Sequence, residues 1–331
     1  MPVLFKSQAK LSLAGHIGYS VLKCLGDCVY VIMAKRENKF AKTVRKEDVS
    51  NENFGLGRPF DFDDRFNRVA IIGALIATIL LLIFRQVTGS GTGSVMLDGV
   101  SYAAGFFFAY LIGREVDPEP GREWGALLGA FITLGLETFM GVNINGVVSL
   151  LWMLFVCRMF NRTSGSRHRI GDNVIILGSA FWMGHIGYWL FPVVTGICYV
   201  LESQIKEGYF RSLYLAGIAF AMCVVTGRGT EVPVLSATYL YMMGIAFILF
   251  LPQLTMAAYS TARDDRHNQY LVRTRLQCAQ AVFLLATGLL LYFGGNTAGI
   301  IFLPCIGTAI GTGLFLLLYL VKKKQEEEGK Q

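Results

Sequence analysis

Charged residues are scarce in this chain of 331 residues: they make up 16% of it, whereas hydrophobic residues make up 53%. Soluble domains carry about 25% charged residues. The mean hydropathy is +0.49, and several uncharged apolar stretches approach the roughly 20 residues that a helix needs to cross a bilayer core. The composition therefore excludes an ordinary soluble domain and predicts an integral membrane protein with many spans.

The sequence also lacks the spacings that hold common cofactors. It contains seven cysteines and four histidines, but no Cys-x-x-Cys pair, zinc spacing or haem motif. The cysteines lie in or beside apolar stretches and are best interpreted as small buried hydrophobic residues. The N-terminal stretch shows no small-residue cleavage site, so we expect no cleavable signal peptide.

The formal net charge of +7 is concentrated in short loops between apolar segments. Lys and Arg in such loops mark the cytoplasmic side of a membrane protein. We therefore expect a lipid bilayer, and no nucleic acid, as the partner of this chain. The pattern predicts a multi-pass protein of the plasma (inner, cytoplasmic) membrane with a cytoplasmic C-terminus. The basic loops are 34–46, 158–169, 206–211, 263–275 and 322–324.

Two short strings occur twice in the same order. Gly-His-Ile-Gly-Tyr occurs at 15–19 and again at 184–188. VTGSGT at 87–92 matches VTGRGT at 225–230 in all but one residue. Similar residues, GDCVYV and GICYV, follow the two copies of the first string. Repetition of this kind indicates an internal duplication.

The apolar segments predict an all-α polytopic membrane protein made of two parallel pseudo-repeats. Each repeat would contain a broken or re-entrant element followed by four transmembrane helices. The first repeat covers 1–165, with a polar cytoplasmic insertion at 34–67, the second covers 170–322, and 323–331 is a charged cytoplasmic tail. The predicted spans are 68–86, 97–113, 124–141, 146–160, 213–227, 232–260, 276–293 and 297–321.

The broken elements are the stretches 11–33 and 172–204, which hold the two Gly-His-Ile-Gly-Tyr strings. Thirty-three residues in the second stretch are too few for two full crossings, and Pro192 and Gly196 interrupt it. Basic loops on both sides place its two ends in the cytoplasm. The alternative is that each stretch crosses once, which would move 34–67 to the other side of the membrane.

The repeated strings supply the first set of candidate site residues. Ionisable groups within a membrane mark ion pathways, proton relays or ligand contacts, although a histidine there can also simply bond a neighbouring helix. Non-helical backbone at membrane depth must be buried in protein or line a wet cavity. The candidates for a substrate or ion pathway are His16, Tyr19, Thr88, His185, Tyr188 and Thr226.

Two acidic loops supply a second set. Carboxylates clustered at helix ends can hold Mg²⁺ for a diphosphate substrate, and Glu115, Asp117, Asp264 and Asp265 occupy two predicted cytoplasmic loops. In chain length, span number and paired acidic loops the sequence resembles intramembrane prenyltransferases of the UbiA type. The first loop, GREVDPEPGRE, departs from the Asp motif of that family. The plainer alternative is a pair of solvated loops with Arg–carboxylate pairs.

Two functions follow from these candidates. The first is a transporter or channel for an ion or small polar solute, with its site between the repeats near the paired strings and with no cofactor. The second is a membrane enzyme that uses Mg²⁺ to act on a lipid or isoprenoid diphosphate. A structural subunit without a site of its own is the third possibility.

Overall fold

A computed structural model describes residues 53–58, 61–88, 95–227 and 234–328. Within these ranges the chain is helical and contains no β-strand beyond an isolated bridge between Arg263 and Tyr270. The helices are α1 (Arg65–Thr88), α2 (Val95–Val116), α3 (Glu123–Met140), α4 (Asn145–Asn161), α5 (Ile170–His185), α6 (Leu190–Gln204), α7 (Ser212–Thr226), α8 (Ala237–Met256), α9 (Arg273–Ile301) and α10 (Leu303–Glu328).

Three segments of this bundle are long and apolar enough to cross a membrane: Ala237–Tyr259, Arg273–Ile301 and Leu303–Glu328. The first of these is α8 extended by a short 3₁₀ turn. Helix α1 presents a row of aliphatic side chains that are more than half exposed, including Ile72, Leu75 and Ile79. Exposed apolar faces of this extent are typical of surfaces that meet lipid. The described residues are thus helical, as the apolar segments predicted, and three of their segments are compatible with a membrane protein.

The segment predicted to be a broken element is two helices, α5 and α6, separated at residues 186–189. Gly187 has a φ of 111°, a conformation that glycine adopts without the strain of a Cβ. The hydroxyl of Tyr199, on α6, donates to Oδ1 of Asn173, at the start of α5, over 3.0 Å. The two helices therefore form a hairpin with its tip at the break. The corresponding stretch 11–33 lies outside the described residues.

Helix α9 is interrupted at Gly295, where φ is 64° and ψ is −154°. Essentially only glycine occupies this region of backbone space, and the interruption falls between the predicted spans 276–293 and 297–321. Helix α10 runs on to Glu328, so residues 323–328 of the predicted tail are helical. Pairs such as Lys322 with Glu326, 3.8 Å apart, favour this extension because they lie one helical turn apart.

Small residues let α3 and α10 approach closely. A Cβ added to Gly311 would lie 2.2 Å from the backbone nitrogen of Gly129, and one added to Gly307 would lie 2.3 Å from the hydroxyl of Thr133. Such close crossings are typical of helices that associate within membranes. They fix α10 against the middle of the bundle.

The segment before α1 and the loops that follow α2, α4, α6 and α8 lie at one end of the bundle. We call this end the charged end. Arg114, near the end of α2, lies 3.0 Å from Asp64, which precedes α1. The backbone nitrogen of Gly55 donates to Asp172 of α5 over 2.7 Å. Glu119, between α2 and α3, accepts a 2.8 Å hydrogen bond from Ser260, which follows α8. The described part of the polar insertion therefore packs against the loops of both halves.

Candidate functional site at the charged end

Glu115 is the centre of a buried ionic network at the charged end. Its carboxylate is 1% exposed, and Oε1 accepts from Nε of Arg158 over 2.9 Å and from Arg58 over 3.2 Å. Asn161 and Thr163 donate to the other oxygen. Burial by itself raises the pKa of a carboxyl group, but Arg158 and Arg58, with the hydrogen bond from Thr163, lower the pKa of Glu115 to about 2. This carboxylate is therefore ionised at any physiological pH.

Arg58 connects Glu115 to the loop before α9. Its NH2 donates to Oδ1 of Asp265 over 2.8 Å. Asp264, the next residue back, is held differently: Oδ1 accepts the backbone nitrogens of His267 and Gln269 over 2.9 and 3.0 Å. Asp264 therefore accepts hydrogen bonds from its own loop, and these bonds stabilise the conformation of that loop.

Asp117 lies apart from that network. It is 5% exposed and pairs with Arg122 over 3.2 Å, while its Oδ2 is buried without a hydrogen-bond partner. Burial, opposed in part by Arg122, raises the pKa of Asp117 to about 6. Asp117 is therefore a group that changes its charge near neutral pH.

The structure thus gives the four carboxylates proposed for Mg²⁺ different partners. Glu115 and Asp265 share Arg58, Asp117 faces Arg122, and Asp264 folds its own loop. Across 53–58, 61–88, 95–227 and 234–328, no group of three or more His, Cys, Asp or Glu side chains is arranged to hold a metal ion. The Mg²⁺ site stays a prediction.

A second carboxylate, Glu202 on α6, is buried completely between two arginines. Its oxygens lie 2.8 Å from Arg162 and 2.8 Å from Arg275. Arg275 also donates to the backbone carbonyls of Phe160, Met159 and Lys206. Its positive charge therefore sits at the C-terminus of α4, where the helix dipole favours a cation.

A cavity of about 320 Å³ opens beside this pair. It lies between the loop after α4, the start of α9 and the loop that precedes α9. Five guanidinium groups line it, together with two carboxylates, those of Glu207 and Asp264. The five arginines are Arg162, Arg167, Arg169, Arg266 and Arg275.

The cavity wall carries more cationic than anionic side chains, five arginines against Glu207 and Asp264, and Arg162 and Arg275 share Glu202. Burial first, and then the neighbouring Arg275, lower the pKa of Arg162 to about 10, although Glu202 opposes the shift. Crowded positive charges of this kind raise the local concentration of anions. Guanidinium groups bind carboxylate and phosphate oxygens through paired, charge-assisted hydrogen bonds. The arrangement is chemically suited to an anion that carries a phosphate or carboxylate group.

The residues of the repeated strings lie at the opposite end of the bundle. His185 is exposed at the last turn of α5, where its ring stacks on Phe181 with the centroids 6.2 Å apart. Thr226 is buried and donates to the carbonyl of Met222 over 2.9 Å, and it packs on Gly184.

Tyr188 packs beside Gly294 near the interruption of α9. The structure therefore brings Thr226 to Gly184 of the second Gly-His-Ile-Gly-Tyr string. The His185 side chain of the same string is exposed and packs on Phe181 instead. His16 and Tyr19 lie outside the described residues, and Thr88 ends α1 with its side chain also outside them.

Sequence reasoning missed the arginines of this site. Arg158, Arg162 and Arg275 stand in basic loops and at helix ends, and their presence there indicated membrane orientation only. One available signal was Glu202, an acidic residue within an apolar stretch, because a buried carboxylate requires a partner. No family model matches the chain, and neither do the curated proteins or the solved structures with which it was compared.

Proposed function

We propose that this protein is a membrane transporter for a small anionic solute with a phosphate-type group, which binds in the basic cavity. The observation that carries the proposal is the set of five arginines around a cavity of about 320 Å³. A cavity of this volume is near the lower limit of typical small-molecule sites. One of the three segments that can cross a membrane, α9, connects this cavity with the bilayer, since Arg275 stands at its start.

The proposed orientation puts the charged end in the cytoplasm. The basic loops support it, because Lys and Arg accumulate on that side of a plasma membrane. The C-terminus would then be cytoplasmic, since α10 ends there. The anion would load from, or be delivered to, the cytoplasm.

The α5–α6 hairpin would be a re-entrant element of this transporter. Its helices contain 16 and 15 residues, about 24 Å at the rise of an α-helix, which is shorter than a bilayer core of about 30 Å. We retain the two pseudo-repeats as part of the proposal, supported by the recurring strings in the sequence. The first repeat would then supply a second hairpin from residues 11–33.

The test is anion binding and flux with defined variants. Purified protein would be titrated with inorganic phosphate and pyrophosphate, and proteoliposomes would be assayed for uptake of labelled phosphate. Arg266→Gln and Arg167→Gln each remove one cavity charge without touching the Glu202 pair. Each should weaken binding by roughly tenfold to a hundredfold, since a hydrogen bond to a charged group is worth about 1.5–3 kcal/mol.

Arg273→Gln is the matched control, because Arg273 is exposed, stands two residues before Arg275 and does not line the cavity. It should bind and transport like the wild type. Binding and flux that are equal in the cavity variants and the control would overturn the proposal.

An enzyme acting on a lipid diphosphate is the second candidate. The observation that favours it is the position of Asp264, which lines the same cavity as the five arginines. A diphosphate group carries the same phosphate oxygens as a free phosphate anion, and guanidinium groups bind both through charge-assisted hydrogen bonds. Turnover of an isoprenoid diphosphate that requires Mg²⁺ and is lost in Asp264→Asn, without phosphate flux, would favour this candidate over the transporter.

A further inference from the structure

Glu137 is a carboxyl group buried inside the bundle, far from the charged end. It stands on α3 one turn before the helix ends at Met140 and is 4% exposed. Its Oε2 is buried and has no hydrogen-bond partner. Throughout the described part of the chain, Glu137 forms no ion pair with another side chain. A buried acidic group without a counter-charge requires an explanation, because burying an unpaired carboxylate is costly.

The neighbouring helix α2 leaves room for the carboxyl group of Glu137. A Cβ added to Gly105 would lie 2.1 Å from Oε1 of Glu137, so only glycine leaves room for the acid there. The hydroxyl of Tyr102 donates to the backbone carbonyl of Glu137 over 3.4 Å. Tyr102 and Gly105 therefore define the face of α2 that meets Glu137.

The same face of α2 continues to Asp98. Positions 98, 102 and 105 are separated by four and three residues, so they share one side of a helix. Asp98 lies in the first turn of α2, at the end of the bundle opposite to the charged end. The residues of α10 that pack against Gly129 and Thr133 of α3 include Pro304, Gly307, Thr308 and Gly311, none of which titrates. Among the described side chains of α2, α3 and α10, Asp98 and Tyr102 are thus the titratable groups on the side of Glu137.

The ligand of such a site is a proton and not a metal cation. Ca²⁺ and Mg²⁺ need about six or more oxygen ligands, whereas among the described residues Glu137 belongs to no group of three or more His, Cys, Asp or Glu that could hold a metal ion. The neighbouring Tyr102 hydroxyl is already bonded to a backbone carbonyl. A single carboxylate can take up one proton to become a neutral carboxylic acid and release it again. Ionisable groups within membranes commonly serve in such proton pathways.

We propose that Glu137 is the proton-binding site of the transporter, reached from the non-cytoplasmic side past Asp98 and Tyr102. This inference rests on the proposed function, in which a co-transported proton compensates the charge of the anion. The carboxylate binds one proton from the outer side, the loaded protein exposes it inside, and the carboxylate is regenerated when the proton leaves. No other bond changes.

The experiment uses proteoliposomes loaded with inorganic phosphate. Exchange of labelled phosphate at equal pH measures anion movement alone, and uptake from an acidic exterior measures coupling to protons. Glu137→Gln has almost the same shape as the protonated acid. It should retain exchange but lose the acceleration caused by the acidic exterior. Glu123→Gln, at the opposite end of α3, should retain both.

The opposite result would overturn the inference: acceleration of Glu137→Gln equal to that of the wild type, or a wild type that exchanges phosphate but does not respond to the pH gradient. If Glu137→Gln does not fold, Tyr102→Phe replaces it. That variant should slow acid-driven uptake and leave exchange unchanged, and an unchanged response to the gradient would count against the pathway.

Infrared difference spectra separate this inference from the proposed function, because they need no phosphate. Lowering the pH should produce the carbonyl band of a buried carboxylic acid in the wild type, and that band should be missing in Glu137→Gln. A wild type that neither binds nor exchanges phosphate overturns the proposed function. In that case the carbonyl band still tests proton binding by Glu137. Loss of the band in Glu137→Gln supports Glu137 as the proton-binding group, and persistence of the band in that variant overturns the assignment.

Discussion

Arg158 donates from Nε to Oε1 of Glu115 over 2.9 Å, and both side chains are at least nine-tenths buried. The pair joins α4 to the end of α2 in a region from which water is largely excluded. Removing one partner of such a pair leaves the other charge buried without compensation. Much of the stability of the charged end should therefore depend on this contact.

Glu115→Gln tests that dependence. The substitution should lower the free energy of unfolding by about 3–5 kcal/mol, the usual cost of breaking a buried ion pair, and the melting temperature of the detergent-solubilised protein would report it. Asp265→Asn, at the exposed side of the same network, should cost about 0–1 kcal/mol. Equal losses in the two variants would contradict the prediction.

Asp117 should make stability depend on pH in a defined direction. Its pKa rises from 3.8 to about 6 on folding, so the folded state holds more protons than the unfolded state between these values. The contribution of Asp117 to stability is therefore present at low pH and is lost as pH rises through about 6. It amounts to roughly 1–3 kcal/mol at most.

The measurement for Asp117 is a series of melting curves of the wild type and Asp117→Asn between pH 4 and pH 8. The difference between the two proteins should change across the acidic part of the series and level off above pH 6. Glu115 acts in the opposite sense, since its lowered pKa gives stability that is lost as pH falls below about 4.5. A constant difference between the wild type and Asp117→Asn would refute the assignment.

Arg275→Lys should destabilise the protein although it keeps the charge. Lysine cannot reproduce the planar set of bonds to Glu202 and to three backbone carbonyls. Leaving buried acceptors unpaired costs about 1–3 kcal/mol each. Thermal unfolding of Arg273→Lys, an exposed neighbour, provides the comparison and should match the wild type. A wild-type melting curve for Arg275→Lys would show that charge alone suffices.

Gly311→Ala should disrupt the crossing of α3 and α10. The added methyl group would overlap the backbone of Gly129, and overpacking of this kind costs roughly 1–3 kcal/mol. Gly217→Ala on α7 is the control, since nothing lies within 4 Å of its Cβ position. Melting curves should show a loss only for Gly311→Ala, and two stable variants would contradict the tight crossing.

Local patterns in the sequence were sufficient to predict most helices. The apolar segments 124–141 and 146–160 correspond closely to α3 and α4, and Gly295 lies between the predicted spans 276–293 and 297–321. An interruption within 172–204 was predictable because glycines and a proline lie inside an apolar run. It lies at 186–189, however, and Pro192 and Gly196 are inside α6. These features depend on residues close together in the chain.

The pairing of the charged residues was not predictable in the same way. Glu115 and Arg158 are 43 positions apart, and only the packing of α2 on α4 brings them together. The acidic loops were interpreted either as a metal site or as solvated surface, whereas Glu115 and Asp117 are buried among arginines and neighbouring loops. The helical extension of α10 was missed because its last residues are polar, although Lys–Glu pairs at helical spacing support it.

Arg58 has a consequence for the biogenesis of the protein. Its partner Asp265 is 207 positions later in the chain, so synthesis at about 5–20 residues per second separates the two by roughly 10 to 40 s. During that interval α1 to α8 are synthesised while the segment before α1 lacks this contact. The final closure of the charged end is therefore a late event, after most of the helices have been made.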